Sequence, residues 1–92
     1  MTNPTPLITK RSSELRAGDV VVEHGHRLVL VGEPHTFTNG SMGDLVGYSW
    51  HGEPVDGIVN PDGDEWVARW ITHDGYWTVQ GNDLVTWAVE AR

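Results

Sequence analysis

The chain has 92 residues, enough for one small domain, with five Trp, two Tyr, one Phe and no Cys. Without Cys there is no disulfide framework, thiolate metal site or thiol nucleophile, which fits a reducing cytoplasm. The formal net charge is −7 and unevenly spread. Residues 1–27 hold four Lys/Arg against three acids, whereas residues 28–92 hold two Arg against ten acids. Phosphate backbones and anionic membranes are bound by clustered cations, so neither nucleic acid nor a membrane is expected as a partner.

In chain order, MTNPTPLITKR (1–11) reads as a disordered tail, with two prolines and no anchor. Its apolar stretch is too short for a secretory signal. The domain is then residues 12–92. SSEL at 12–15 suits a single helical turn, with serine caps and an early acid. DVVVEH (19–24) is a β-branched strand, His24-Gly25 a two-residue hairpin turn, and RLVLVG (27–32) the returning strand. EPHTFTNGSMGD (33–44) lacks a period and reads as a long loop. LVGYSW (45–50) is a third strand. A turn-rich link follows, with a possible short strand VDGIV (55–59) and an Asn60-Pro61-Asp62-Gly63 turn. EWVARWITH (65–73) reads as a fourth strand, Asp74-Gly75 as a hairpin turn, and YWTVQ (76–80) as a fifth. Gly81-Asn82-Asp83 turns into LVTWAVE (84–90), with Val85, Trp87 and Val89 on the core face.

Five to seven short strands with glycine-rich turns point to an all-β domain, a small SH3-like barrel. SSELRAGDVVVEHGHR near the start and YWTVQGNDLVTWAVE near the end also resemble small accessory proteins of actinobacteriophages, mycobacteriophages in particular. In that group a GDV–EHG hairpin opens the domain and a YWTVQGNDL segment ends it. The resemblance covers about a third of the chain. It implies a phage or prophage origin and the cytoplasm of the host cell. The family has no assigned activity, so no functional residue carries over.

The chemical motifs are incomplete. His24 and His26 could ligate zinc from one face of a strand, but a turn between them would rotate them apart, leaving solvated turn residues. Asn60, Asp62, Asp64 and Glu65 resemble a calcium loop, yet the glycine and the twelfth-position Glu are missing, which leaves a charged turn. Ser41, His35 and Asp44 share a loop without a nucleophile elbow. No cofactor, metal or enzymatic activity is expected.

The tryptophans are more informative. Read as a strand, EWVARWI sets Trp66, Ala68 and Trp70 against Val67, Arg69 and Ile71, so both faces carry apolar side chains where one should be polar. Exposed Trp, Tyr and Arg are typical of protein contacts. The expected partner-binding residues are Trp66, Arg69, Trp70, Tyr76 and, in the 33–44 loop, Phe37. The expected function is non-enzymatic binding of a host protein, a basic one being favoured by the chain's acidity, or of a second copy. One alternative is sequestration of a small ligand beneath the 33–44 loop as a lid. Another is an acidic DNA-mimic inhibitor.

Overall fold

The hairpin at His24-Gly25 forms as its residues predict. His24 (φ 53°) and Gly25 (φ 81°) both take the left-handed conformation. This lets β2 (Val20–Glu23) return directly into β3 (His26–Thr38), with Glu23 opposite His26. The computed structural model describes residues 5–38 and 45–91. Its other strands are β1 (Leu7–Arg11), β4 (Val46–Pro54), β5 (Trp77–Asn82) and β6 (Thr86–Glu90), and its one α-helix is α1 (Glu65–Asp74). All six strands join one antiparallel sheet in the order β1-β6-β2-β3-β4-β5. The all-β expectation holds, and the strand number lies within the expected range.

Side-chain alternation sets the core face. His26, Leu28 and Leu30 of β3, Trp50 of β4, Val79 of β5, and Trp87 and Val89 of β6 are buried. The helix lays Val67 and Ile71, one turn apart, into the same cluster. On the outside, the Arg27 guanidinium grips the Glu90 carboxylate with two hydrogen bonds, spanning β2 from β3 to β6. Among the described residues no helix is long and apolar enough to cross a membrane.

Five expectations are corrected. First, residues 7–11 of the expected tail are β1, paired with β6 from Leu7↔Glu90 to Arg11↔Thr86. The sheet supplies the anchor that the local sequence lacks. Second, the loop expected over 33–44 is strand up to Thr38. β3 continues past a bulge and pairs His35–Thr38 with Val46–Ser49. Residues 39–44 lie outside the described residues. Third, VDGIV is not a strand. Val55–Gly57 is a 3-10 turn, with Asp56 (φ 57°) and Gly57 (φ 70°) left-handed.

Fourth, EWVARWITH is α1 rather than a strand. The Asp64 carboxylate accepts the Trp66 amide at 3.2 Å, and Glu65 adds an acid to the first turn. At the other end Gly75 (φ 84°) donates its amide to Ile71 O at 2.7 Å. Asp74-Gly75 is therefore a helix stop and not a hairpin turn.

Fifth, the barrel does not close. β1 and β5 are the two edges and are not paired with each other. Directly after β1 the chain turns into a 3-10 helix, Ser12–Glu14, as the sequence predicts. This turn takes the place of a ladder: Ser12 Oγ donates to Asn82 O at 2.7 Å, while the Ser13 amide and hydroxyl donate to the Asp83 carboxylate at 2.8 and 2.9 Å. The sheet curls, and side chains tie its seam at one end.

Candidate functional site

In α1 one helical turn separates Val67 from Ile71 and another separates Trp66 from Trp70. The first pair is buried and the second faces outward. Trp66 is 48% and Trp70 51% exposed. Arg69 and His73 fall on the same outward stripe, at i+3 and i+7 from Trp66. Trp66, Arg69, Trp70 and His73 line an open groove of about 400 Å³. The Trp70 and His73 rings meet edge to face, 6.4 Å apart. His73 Nδ1 lies 2.7 Å from the Asp74 carboxylate. Arg69 has no hydrogen bond or ion pair among the described residues.

A smaller hollow of about 160 Å³ adjoins this groove, lined by Trp70, Asp74, Tyr76, Trp77 and Thr78. Tyr76 is held by stacking on His51, with ring centroids 4.4 Å apart. Four of the expected contact residues, Trp66, Arg69, Trp70 and Tyr76, thus border one continuous stretch of surface. Phe37 does not belong to it. It opposes Gly47 while Trp77 opposes Gly52, so the two lie five residues apart along β4, about 17 Å. The Phe37 ring covers Gly47, where any Cβ would collide with it. Phe37 is a cross-strand packing residue, shielding a backbone that has no side chain of its own.

Trp77 supports the groove from beneath. Its ring packs edge to face on Trp66 at 5.6 Å and on His24 at 5.9 Å. Its Nε1–H donates to Glu23 at 3.0 Å. Burial pushes the Glu23 carboxyl above its ordinary value, outweighing the Trp77 hydrogen bond and the neighbouring His24, which both favour the charged form.

The HGH hairpin fixes the start of the helix. The Asp64 amide donates to His24 O at 2.8 Å and Asn60 Nδ2 to Gly25 O at 2.8 Å. His26, expected to be a solvated turn residue, is only 2% exposed. Its Nε2–H donates to Asp64 O at 3.0 Å, and Gly63 lies against its ring so closely that a Cβ there would overlap the imidazole. The calcium-like segment 60–65 is thus an Asx turn, with Asn60 Oδ1 accepting the Asp62 amide, followed by a helix cap.

Sequence reasoning missed His73, Trp77, His24 and Glu23 as parts of this surface. The i, i+3, i+4, i+7 spacing of Trp66, Arg69, Trp70 and His73 was the available signal for the first. Ser41 and Asp44 of the candidate triad lie outside the described residues, and His35 faces Ser49 across the β3–β4 ladder. Among the described residues no three His, Asp or Glu side chains converge as a metal site. The groove offers two indole faces and one unpaired guanidinium, groups suited to holding another molecule in place. No protein family, curated protein or solved structure matches the chain.

Proposed function

We propose that the chain is a phage accessory protein that acts without catalysis, binding a host protein or a second copy through the outward face of α1. One observation carries this reading: Trp66 and Trp70 are half exposed on either side of an unpaired Arg69, along a groove of about 400 Å³. Trp and Arg are among the side chains that most often dominate binding energy at interfaces. Here the core is already supplied by Val67 and Ile71 on the opposite face of the helix.

The double variant Trp66→Ala/Trp70→Ala tests the proposal. Sedimentation velocity reads self-association, and affinity capture from a mycobacterial host lysate reads a host partner. A complex formed by the wild type should be lost in the double variant, with the β-sheet signal in far-UV circular dichroism unchanged. A complex that survives the double substitution would place the interface elsewhere on the molecule.

A further inference from the structure

A second concavity lies where the sheet opens. The β2–β3 ladder ends at Val20↔Val29, and the chain before β2 continues alongside through Gly18 N to Leu30 O (2.8 Å) and Leu30 N to Asp19 O (2.9 Å). Past that point β3 bulges. Val31 opposes His51 and His35 opposes Ser49, so Gly32, Glu33 and Pro34 stand against Trp50 alone. Gly32 (φ 74°) supplies the left-handed residue of this bulge, with open space where a Cβ would be. The bulge forms one wall and the end of the Ser12–Glu14 turn the other. Between them is a cleft of about 490 Å³, lined among others by Leu15, Arg16, Pro34, Tyr48 and Trp50. That volume falls within the range of small-molecule sites, about 300–1,000 Å³.

Two residues that line this cleft carry donors without an acceptor among the described residues. Trp50 is 5% exposed, and its indole N–H has no hydrogen-bond partner. A buried N–H without an acceptor is costly, so most are paired by protein, water or ligand. Arg16 is exposed, and its guanidinium has no hydrogen bond or ion pair among the described residues, whereas Lys10, Arg11 and Arg27 each hold a carboxylate. Glu33, the one acid lining the cleft, is likewise unpaired. It therefore leaves Arg16 free for an outside anion and disfavours an acid group on its own side of the cleft.

We propose that this cleft binds a small aromatic carboxylate. The ring packs against Tyr48 and Leu15 beside the Trp50 indole, and the acid group pairs with Arg16. Planar guanidinium and planar carboxylate match in a two-bond fork, which favours a carboxylate over an amine of the same shape. The cleft shares no residue with the α1 groove, so this site stands or falls independently of the protein-binding reading.

Amide and indole N–H resonances in ¹H–¹⁵N spectra report each tryptophan separately, and Trp50→Phe assigns the Trp50 signal. Titration with hydrocinnamate should move the Trp50 indole and the Arg16 and Gly32 amides along one saturable curve. Phenethylamine, with the opposite charge on the same frame, should bind more weakly. Arg16→Gln should weaken hydrocinnamate binding roughly tenfold or more while leaving the unliganded spectrum otherwise unchanged. Three results would each overturn the proposal: a Trp50 signal unmoved at about 10 mM, equal binding of the amine, or shifts confined to the Trp66 and Trp70 indoles.

Discussion

Trp87 joins two jobs in one side chain. Its ring is 8% exposed within the core, and its Nε1–H donates to Ser12 Oγ at 2.9 Å, which in turn donates to Asn82 O. Trp87→Ala should cost about 3–5 kcal/mol, from lost burial and the cavity left behind. That is a large share of the roughly 5–15 kcal/mol available to a small domain. Trp87→Phe keeps most of the ring and removes the donor, so it should cost less than the Ala variant. Gly81 is a related case with a different cause than its place in a turn suggests. It lies within β5 and is not among the residues with positive φ. A Cβ there would sit 3.2 Å from Trp87 Cζ2 and from Val85 Cβ, so the requirement is room for the ring. Gly81→Ala should therefore be mild and Gly81→Val more severe. Urea melts of the four variants check this. A Trp87→Ala protein as stable as the wild type would show that the ring is not a core element.

At the scale of elements, α1 explains what the sequence revealed and what it concealed. The hairpin Val20–Leu30 was legible because β-branched runs flank a His-Gly pair whose glycine takes the positive φ that a tight turn needs. The segment 65–73 was not, because Trp66/Ala68/Trp70 and Val67/Arg69/Ile71 alternate like a strand while Val67/Ile71 and Trp66/Trp70 also repeat at four. Two apolar faces satisfy both periods, and only the caps decide. Asp64 ahead and Gly75 behind are ambiguous singly, since both are also turn residues; together, eleven apart around an acid-first, His-last segment, they bound a helix. The same ambiguity hid half the candidate site. Trp66, Trp70 and Tyr76 are exposed and Phe37 is not part of the same surface, while Arg69 and His73 join the two tryptophans only on a helix. β1 and the outer half of β3 were illegible for another reason: their order comes from pairing with strands distant in the chain. The helix assignment carries its own prediction. Asp64→Ala removes the side-chain cap and should lower stability by about 1 kcal/mol, whereas Asp64→Asn or Asp64→Ser should restore most of it. Equal urea midpoints for the Ala and Asn variants would show that the carboxylate does not cap the helix.

For the whole molecule, the decisive feature is a sheet that curls without closing and is tied by side chains at its seam. Asp83 is central to that tie. The Ser13 amide, the Ser13 hydroxyl and, more weakly, Arg11 hold its carboxyl below the ordinary value of 3.8. A carboxyl depressed in the folded state contributes stability that is fully present above its unfolded value and fades as pH falls through the lower folded value. Glu23 works in the opposite direction. Burial raises it above 4.5, so the stability it contributes is present in acid and fades as pH rises through that raised value. The two carboxyls partly offset each other, and the stability of the wild type alone does not separate them. Comparison with Asp83→Asn does. The amide keeps an acceptor for Ser13 but carries no charge, so the variant should be less stable than the wild type at neutral pH. The gap should narrow as pH falls below the ordinary carboxylate range, because the wild-type Asp83 is then protonated as well. Since Asp83 lies at the surface and is partly exposed, the gap should also shrink with added salt, as screening weakens the charge-assisted part of the bonds. Urea melts of both proteins across that pH range, at low and high salt, measure it. A gap that stays constant with pH would mean that the seam depends on the shape of the Ser13–Asp83 contact and not on its charge.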